Sequence, residues 1–399
     1  MSEGGNLTTM RVKHCKRKNQ IPIKKPLSEH EIFDLAIADK QWGVRIDKKY
    51  SHKNLQDFKE CHKIFLKGYS AKSKPLLKPF PSIIYDYINN LSFNAHAFKY
   101  KEYYIIGIHG ADFIILNDLF NRMLAHNDIF PKIGNPAKES SDTSIKDYYD
   151  NVFDILNNSH QGIFKSKFPK DSKRKLYAYH ITGRAMDFVF EHELAHILFG
   201  HVDYLYDRYG IHCVSEYQPS EIVNQNQFDL QTFEMNADTM ALLSCCSRAL
   251  NTVNNNSLVH PPFRTFYKNY YQALSDIAFA IYNTIRVFGD GDYKNIQLGK
   301  STHPDPRVRQ LQIFSTFRTM VKAWKQYFTL DYDKLHSLLI EKIKESERAY
   351  QLITGKQTNV EVFKAKYFVN NPFGMAFTDN WKKNIRNSLL KYTYVSLPS

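Results

Sequence analysis

Long apolar runs are missing from this 399-residue chain. Its most apolar long stretch, Tyr270 to Phe288, is interrupted by Gln272, Ser275, Asp276, Asn283 and Arg286. It therefore reads as an amphipathic core helix and not as a membrane span. The first thirty residues, Met1 to His30, are polar and basic and offer no apolar segment for a signal peptide. Cysteine is scarce: Cys15, Cys61, Cys213, Cys245 and Cys246 form no CxxC pair and leave an odd one. That excludes a disulfide framework and suits a reducing compartment, so a cytoplasmic protein is expected. No internal repeat is visible, which excludes a solenoid. Acidic residues are also few, 40 Asp and Glu against 54 Lys and Arg, for a net charge of +14. No helix-turn-helix or RNA-binding signature accompanies that charge.

What the chain does have is Phe188-Val-Phe-Glu-His192-Glu193-Leu-Ala-His196-Ile-Leu-Phe-Gly200-His201. Ala185, Phe188, Val189, His192, Ala195, His196 and Phe199 recur at intervals of three and four, while Arg184, Asp187 and Glu191 mark a polar face. A helix with both histidines on its inward face is predicted. At about 100° per residue the two imidazoles lie about 40° apart, one turn above the other, where both can grip one metal ion. Glu193 lies beside that face, placed to accept a proton from water held by the metal without being a ligand. Gly200 is the expected stop signal.

Two histidines do not complete a catalytic zinc site, which keeps three protein ligands and one open position. Leu230 to Cys245 again reads as a helix, with Glu234 and Asp238 one turn apart on a stripe shared with Phe233, Ala237, Ala241 and Cys245. Two inward carboxylates are costly to bury unless something positive meets them. We expect Glu234 to be the third ligand and Asp238 to accept the free ring N–H of a zinc-bound histidine. The rival ligand His201 has the wrong spacing: on a continuing helix it would point about 180° from His192. It is expected at the surface or behind a ligand. Glu216 and Glu221 are weaker rivals, since neither has an Asp four residues on.

His192-Glu-x-x-His196 followed by Glu234-x-x-Ala237-Asp238 resembles the gluzincin metallopeptidases, in particular the branch of the CAAX prenyl proteases and HtpX-like heat-shock proteases. Two further segments are similar to that branch. Phe93-Asn94-Ala95-His96-Ala97-Phe98, then Tyr103 to Gly107 and Phe113 to Asn117, looks like the Asn-Ala strand pair that precedes the zinc helix. Ser301-Thr302-His303-Pro304 with Arg309 six residues after the His looks like their Ser-Thr-His-Pro segment. The phage-exclusion protease Lit is similar at the zinc motif. The resemblance implies that Asn94, Ala95, His96 and Ala97 form a cleft-edge strand able to bind substrate by strand addition. It also implies that His303 stabilises the oxyanion, with Arg309 or Arg307 positioning it or a neighbouring carboxylate. His260-Pro-Pro offers a competing His-Pro segment, and the prenyl proteases' membrane spans have no counterpart here.

The expected fold is α+β and mostly helical: a zincin-like catalytic domain with a small sheet and a two-helix zinc site, plus a helical C-terminal extension. We expect a basic disordered tail over 1–27, the catalytic domain over 28–314 with a polar insertion at 126–175, and the extension over 315–399. Ser28 and Glu31 predict the capping box of a first helix. The insertion has the composition of a mobile loop and is a candidate lid. Basic clusters at Arg11 to Lys25 and at Lys165, Lys167, Lys170, Lys173, Arg174 and Lys175 could meet nucleic acid or an acidic protein partner.

Two functions follow. The first is a soluble zinc-dependent endopeptidase acting on protein or peptide substrates, with Glu193 as general base. The second is a basic binding or regulatory protein with a structural or vestigial zinc site.

Overall fold

The computed structural model describes residues 26–47, 53–71, 76–145, 166–215, 227–289, 298–299, 301–324, 328, 330–355 and 371–398. The basic arm over 11–25 and the part of the expected insertion from 146 to 165 lie outside them.

The elements run α1 (Glu29–Asp39), β1 (Val44–Arg45), α2 (Lys53–Ala71), β2 (Ile83–Asn89), β3 (Ala95–Tyr100), β4 (Tyr103–His109) and α3 (Gly110–Ala125). Then come α4 (Ser172–Leu198), α5 (His201–Tyr209), β5 (Cys213–Ser215), α6 (Gln227–Asn254) and α7 (Tyr270–Arg286). The chain closes with α8 (Pro306–Trp324), α9 (Tyr332–Thr354) and α10 (Pro372–Asn380), which runs on through a π-helical turn to Leu389. This is an α+β fold, mostly helical, with one small sheet. Among the described residues no helix is long and apolar enough to cross a membrane.

The five strands stand in the order β1-β2-β4-β3-β5. β2 and β4 are parallel, with Ile84 opposite Ile105, and the other pairs are antiparallel. Side chains alternate between faces, as a pleated strand requires. Tyr85, Tyr87, Ala95, Ala97, Ile106 and Ile108 enter the main core with α3 and α4, whereas Ile84, Ile88, Phe98 and Ile105 enter a smaller core under α1. α1 starts as its sequence predicts: Ser28 and Glu31 form a capping box.

Three sequence expectations are corrected. Phe113 to Asn117, read as a strand, lies within α3. A short apolar run has no periodicity that separates strand from helix, and here the longer segment from Gly110 to Ala125 decides it. β3, read as the edge strand, is paired on both sides: His96, Ala97 and Phe98 face Ser215, Val214 and Cys213 of β5. On that side the sheet ends in β5, and on the other in β1. A three-residue strand after an amphipathic helix leaves too little alternation to be seen in sequence.

The third correction concerns 126–133, the start of the expected mobile insertion. Arg174 is fully buried and donates to the carbonyls of Leu124, His126, Ile129, Phe130 and Ile133. A guanidinium has five N–H donors in a rigid fork, so one side chain satisfies an entire irregular segment. Arg174 is thus a tether inside the protein and is not available to an acidic partner.

Candidate metal centre

α4 is the spine of the site. Asp171 caps its N-terminus by accepting from the Lys173 and Arg174 N–H groups. Gly200 ends it at φ +77, the left-handed conformation that spares glycine a Cβ clash. The last turn is tied down from the far end of the chain. Leu198 O accepts from Tyr394 N at 2.8 Å and from Thr393 Oγ1 at 3.1 Å. α6 packs along α4 and brings its own inward stripe to the histidines.

His192, His196, Glu234 and Asp238 are all buried. His192 Nε2 and His196 Nε2 are 3.0 Å apart, and the Glu234 carboxylate oxygens lie 3.2 and 3.4 Å from them. One ligand atom from each of His192, His196 and Glu234 falls in a set spanning no more than 4.8 Å. Zinc bonds of 2.0 to 2.2 Å in tetrahedral array separate neighbouring ligand atoms by about 3.3 Å. Two ring nitrogens and a carboxylate at these spacings fit one such ion.

Each imidazole also has a partner on its other side. His192 Nδ1 donates to Asp238 Oδ1 at 2.9 Å, which leaves its Nε2 lone pair for a ligand. Asp238 is in turn held by Arg309, whose Nε and Nη2 each donate at 2.8 Å. Burial alone would raise the Asp238 carboxyl, but the Arg309 guanidinium and the His192 hydrogen bond hold it down at about 2. His196 Nδ1 lies 3.1 Å from His201 Nδ1. For His196 Nε2 to be a free lone pair its proton must sit on Nδ1, so His201 Nδ1 is the acceptor and carries its own proton on Nε2. His201 is fully buried, tilted against the Phe233 ring 4.6 Å away, and burial pushes it down to about 3. The surface alternative for His201 is thereby excluded. Gly200 turns the chain so that a residue five positions after His196 comes back behind it.

Glu193 is buried beside β5, close enough for its charge to add to the burial that raises the Cys213 thiol. His303 brings Nε2 to 3.6 Å from Glu234 Oε2, with Nδ1 3.0 Å from Thr302 Oγ1. Gln231 on α6 clasps this segment, donating to the carbonyls of Ser301 and His303. His260 is exposed beside Phe263, on a different cavity, so the competing His-Pro segment does not reach the cluster. Arg307 pairs with Glu347.

The expected strand residues Ala95, His96 and Ala97 belong to a strand that packs on α4, Asn94 directly precedes it, and their described partners lie within and beside the sheet. The Asn94 N–H donates to Asp112, and its side chain accepts from Ala95 N. His96 stacks on Trp42 at 3.8 Å on the sheet's other face, with Nε2 2.9 Å from His109 Nε2. Ala95 and Ala97 face the main core.

A buried pair of imidazoles and a carboxylate, each imidazole oriented from behind, defines a protein able to hold a metal ion. The family model Peptidase U49 matches residues 123–326, just over half of the chain, and the chain belongs to that family. The match spans α4, α6 and the His303 segment, and it supports a peptidase acting on a protein substrate. No curated protein and no solved structure matches the chain.

Proposed function

We propose that the protein is a zinc-dependent endopeptidase of the gluzincin type, its ion held by His192, His196 and Glu234. The observation that carries this reading is the orientation of the imidazoles: two Nε2 atoms converge on one carboxylate while both Nδ1 atoms are engaged behind them. A zinc ion bound there would act as a Lewis acid and lower the pKa of a coordinated water toward about 7.

The remaining work falls to side chains. Glu193 takes the proton of the attacking water and delivers it to the departing amine. Burial of Glu193 keeps bulk water from competing for that proton. His303, with Nε2 3.6 Å from Glu234 Oε2, would offer an N–H to the oxyanion that forms on the scissile carbonyl. Asp238 and Arg309 keep the His192 ring from turning, and His201 does the same for His196. The substrate main chain is assigned to the outer side of β5, which carries no further strand among the described residues and lies next to Glu193.

The test compares cells producing the native chain with cells producing Glu193→Gln. New protein termini are expected only with the native chain, although both forms bind one zinc. Identical termini in both, or a Glu193→Gln form without zinc, would refute the assignment of the base.

A further inference from the structure

A cavity lies away from the residues of the metal cluster, none of which lines it. It has a volume of about 580 Å³ and opens between α2, α4, α6 and the turn at Pro261–Phe266. That volume lies within the range of sites for small organic ligands, about 300 to 1,000 Å³.

Its walls have two characters. Arg184 on α4 and Arg248 on α6 both line it. Each is paired from behind, Arg184 with Asp187 at 3.1 Å and Arg248 with Glu191. The guanidinium side chains are each 22% exposed, whereas the carboxylates are 5% and 2% exposed. Asp187 also lines the cavity but is the less accessible partner, so the charged groups most open to a ligand are the two guanidinium side chains. The lining also has an aromatic part: Tyr179 stacks on Phe58 at 5.1 Å and meets Phe263 at 5.6 Å. Gly183 permits this approach, since a Cβ there would stand 3.0 Å from the Phe58 ring.

We propose that this cavity is a binding site for a small molecule that carries an anionic carboxylate or phosphate on a planar ring. The anion meets the edges of Arg184 and Arg248, which suit bidentate recognition of either oxyanion. The ring lies against Tyr179 and Phe263. A ligand seated this way bridges α4 and α6, the two helices that carry His192, His196, Glu234 and Asp238. The site is independent of the peptidase assignment and stands or falls separately from it.

Cys61 lines the cavity and is exposed, whereas Cys213, Cys245 and Cys246 are buried. It is a built-in reporter. The experiment measures iodoacetamide modification of Cys61 in the full chain by peptide mass spectrometry, alongside calorimetric titration. The probes are indole-3-acetate for the carboxylate and adenosine 5′-monophosphate for the phosphate. Indole, adenosine and inorganic phosphate are the controls.

One or both anionic ring probes should bind with one-to-one stoichiometry and slow Cys61 modification about threefold at twice their Kd. The controls should leave the rate unchanged. Arg184→Gln should remove the protection. Because that variant leaves Asp187 without one partner, Asn251→Asp provides a second test: it adds a repelling charge at an exposed rim position of the same cavity and should also remove it. Absence of protection by both anionic probes, equal protection by a control, or full protection retained in a folded Asn251→Asp protein would each overturn the proposal.

Discussion

His201 shows how one side chain acts through another. Its only described tie to the cluster is the Nδ1 contact with His196, so removing the acceptor should free that ring to turn. His201→Leu is expected to weaken zinc binding about 10- to 100-fold, whereas His201→Asn, which keeps an oxygen near the Nδ1 position, should retain most of it. Competition with a chromophoric chelator measures this, and equal affinity in the two variants would remove His201 from the account. Asp238 adds a pH dependence in the apo protein. Its folded pKa of about 2 lies below the ordinary 3.8, so its stabilisation is complete above about 4 and is lost as pH falls toward 2. Asp238→Asn should flatten that part of the acid unfolding curve. The grouping of His192, His196 and Glu234 was readable from sequence because each lies on a long, strongly periodic helix. For His201 the sequence left two places open, the surface or behind a ligand, and the choice between them depends on a left-handed turn at Gly200 that reverses the direction a continuing helix would give.

Among the elements, α4 depends on distant parts of the chain. A Cβ on Gly200 would lie 2.5 Å from Tyr392 Cβ and 2.7 Å from the Tyr392 carbonyl carbon, at a φ that already disfavours other residues. Gly200→Ala is expected to cost at least about 2 kcal/mol, read as a fall in the denaturation midpoint. At the other end, Arg174→Met would take a donor from five carbonyls between Leu124 and Ile133, of which those of His126 and Phe130 keep a backbone N–H, and should cost about 3 to 5 kcal/mol. A loss under about 1 kcal/mol would mean that water replaces the guanidinium. The helices α4, α6, α7 and α9 follow patterns visible in the sequence, whereas α5, from His201 to Tyr209, was not among those expected. The sheet was less legible: the Phe113 run fits either state until its neighbours are counted, and β5 is too short to announce itself. The place of β5, and with it the identity of the edge beside β3, depends on pairing between residues more than a hundred positions apart, which no local pattern contains.

Across the whole molecule, one core runs from Leu55 on α2 to Leu397 near the C-terminus. The C-terminal helices thus pack into the same core as the residues around the ligands. Several histidines are enclosed in this body. Burial lowers His62 and takes His96 and His180 well below the ordinary 6.5, while His109 falls to about 4. His96, His109 and His180 are neutral when folded and take up protons when unfolded below about 6.5. Stability must therefore fall as pH drops through that value, by up to about 1.4 kcal/mol per pH unit for each such group. The melting temperature is expected to decline steadily from pH 7 to pH 5, and a flat profile would show that these rings titrate normally in the folded protein.

The central claim is the coordination sphere, and zinc K-edge X-ray absorption on the purified protein tests it most directly. Two imidazole shells with light oxygen or nitrogen scatterers at about 2.0 to 2.2 Å are predicted, at one zinc per chain. A sulfur shell near about 2.3 Å, or fewer than two imidazoles, would contradict it.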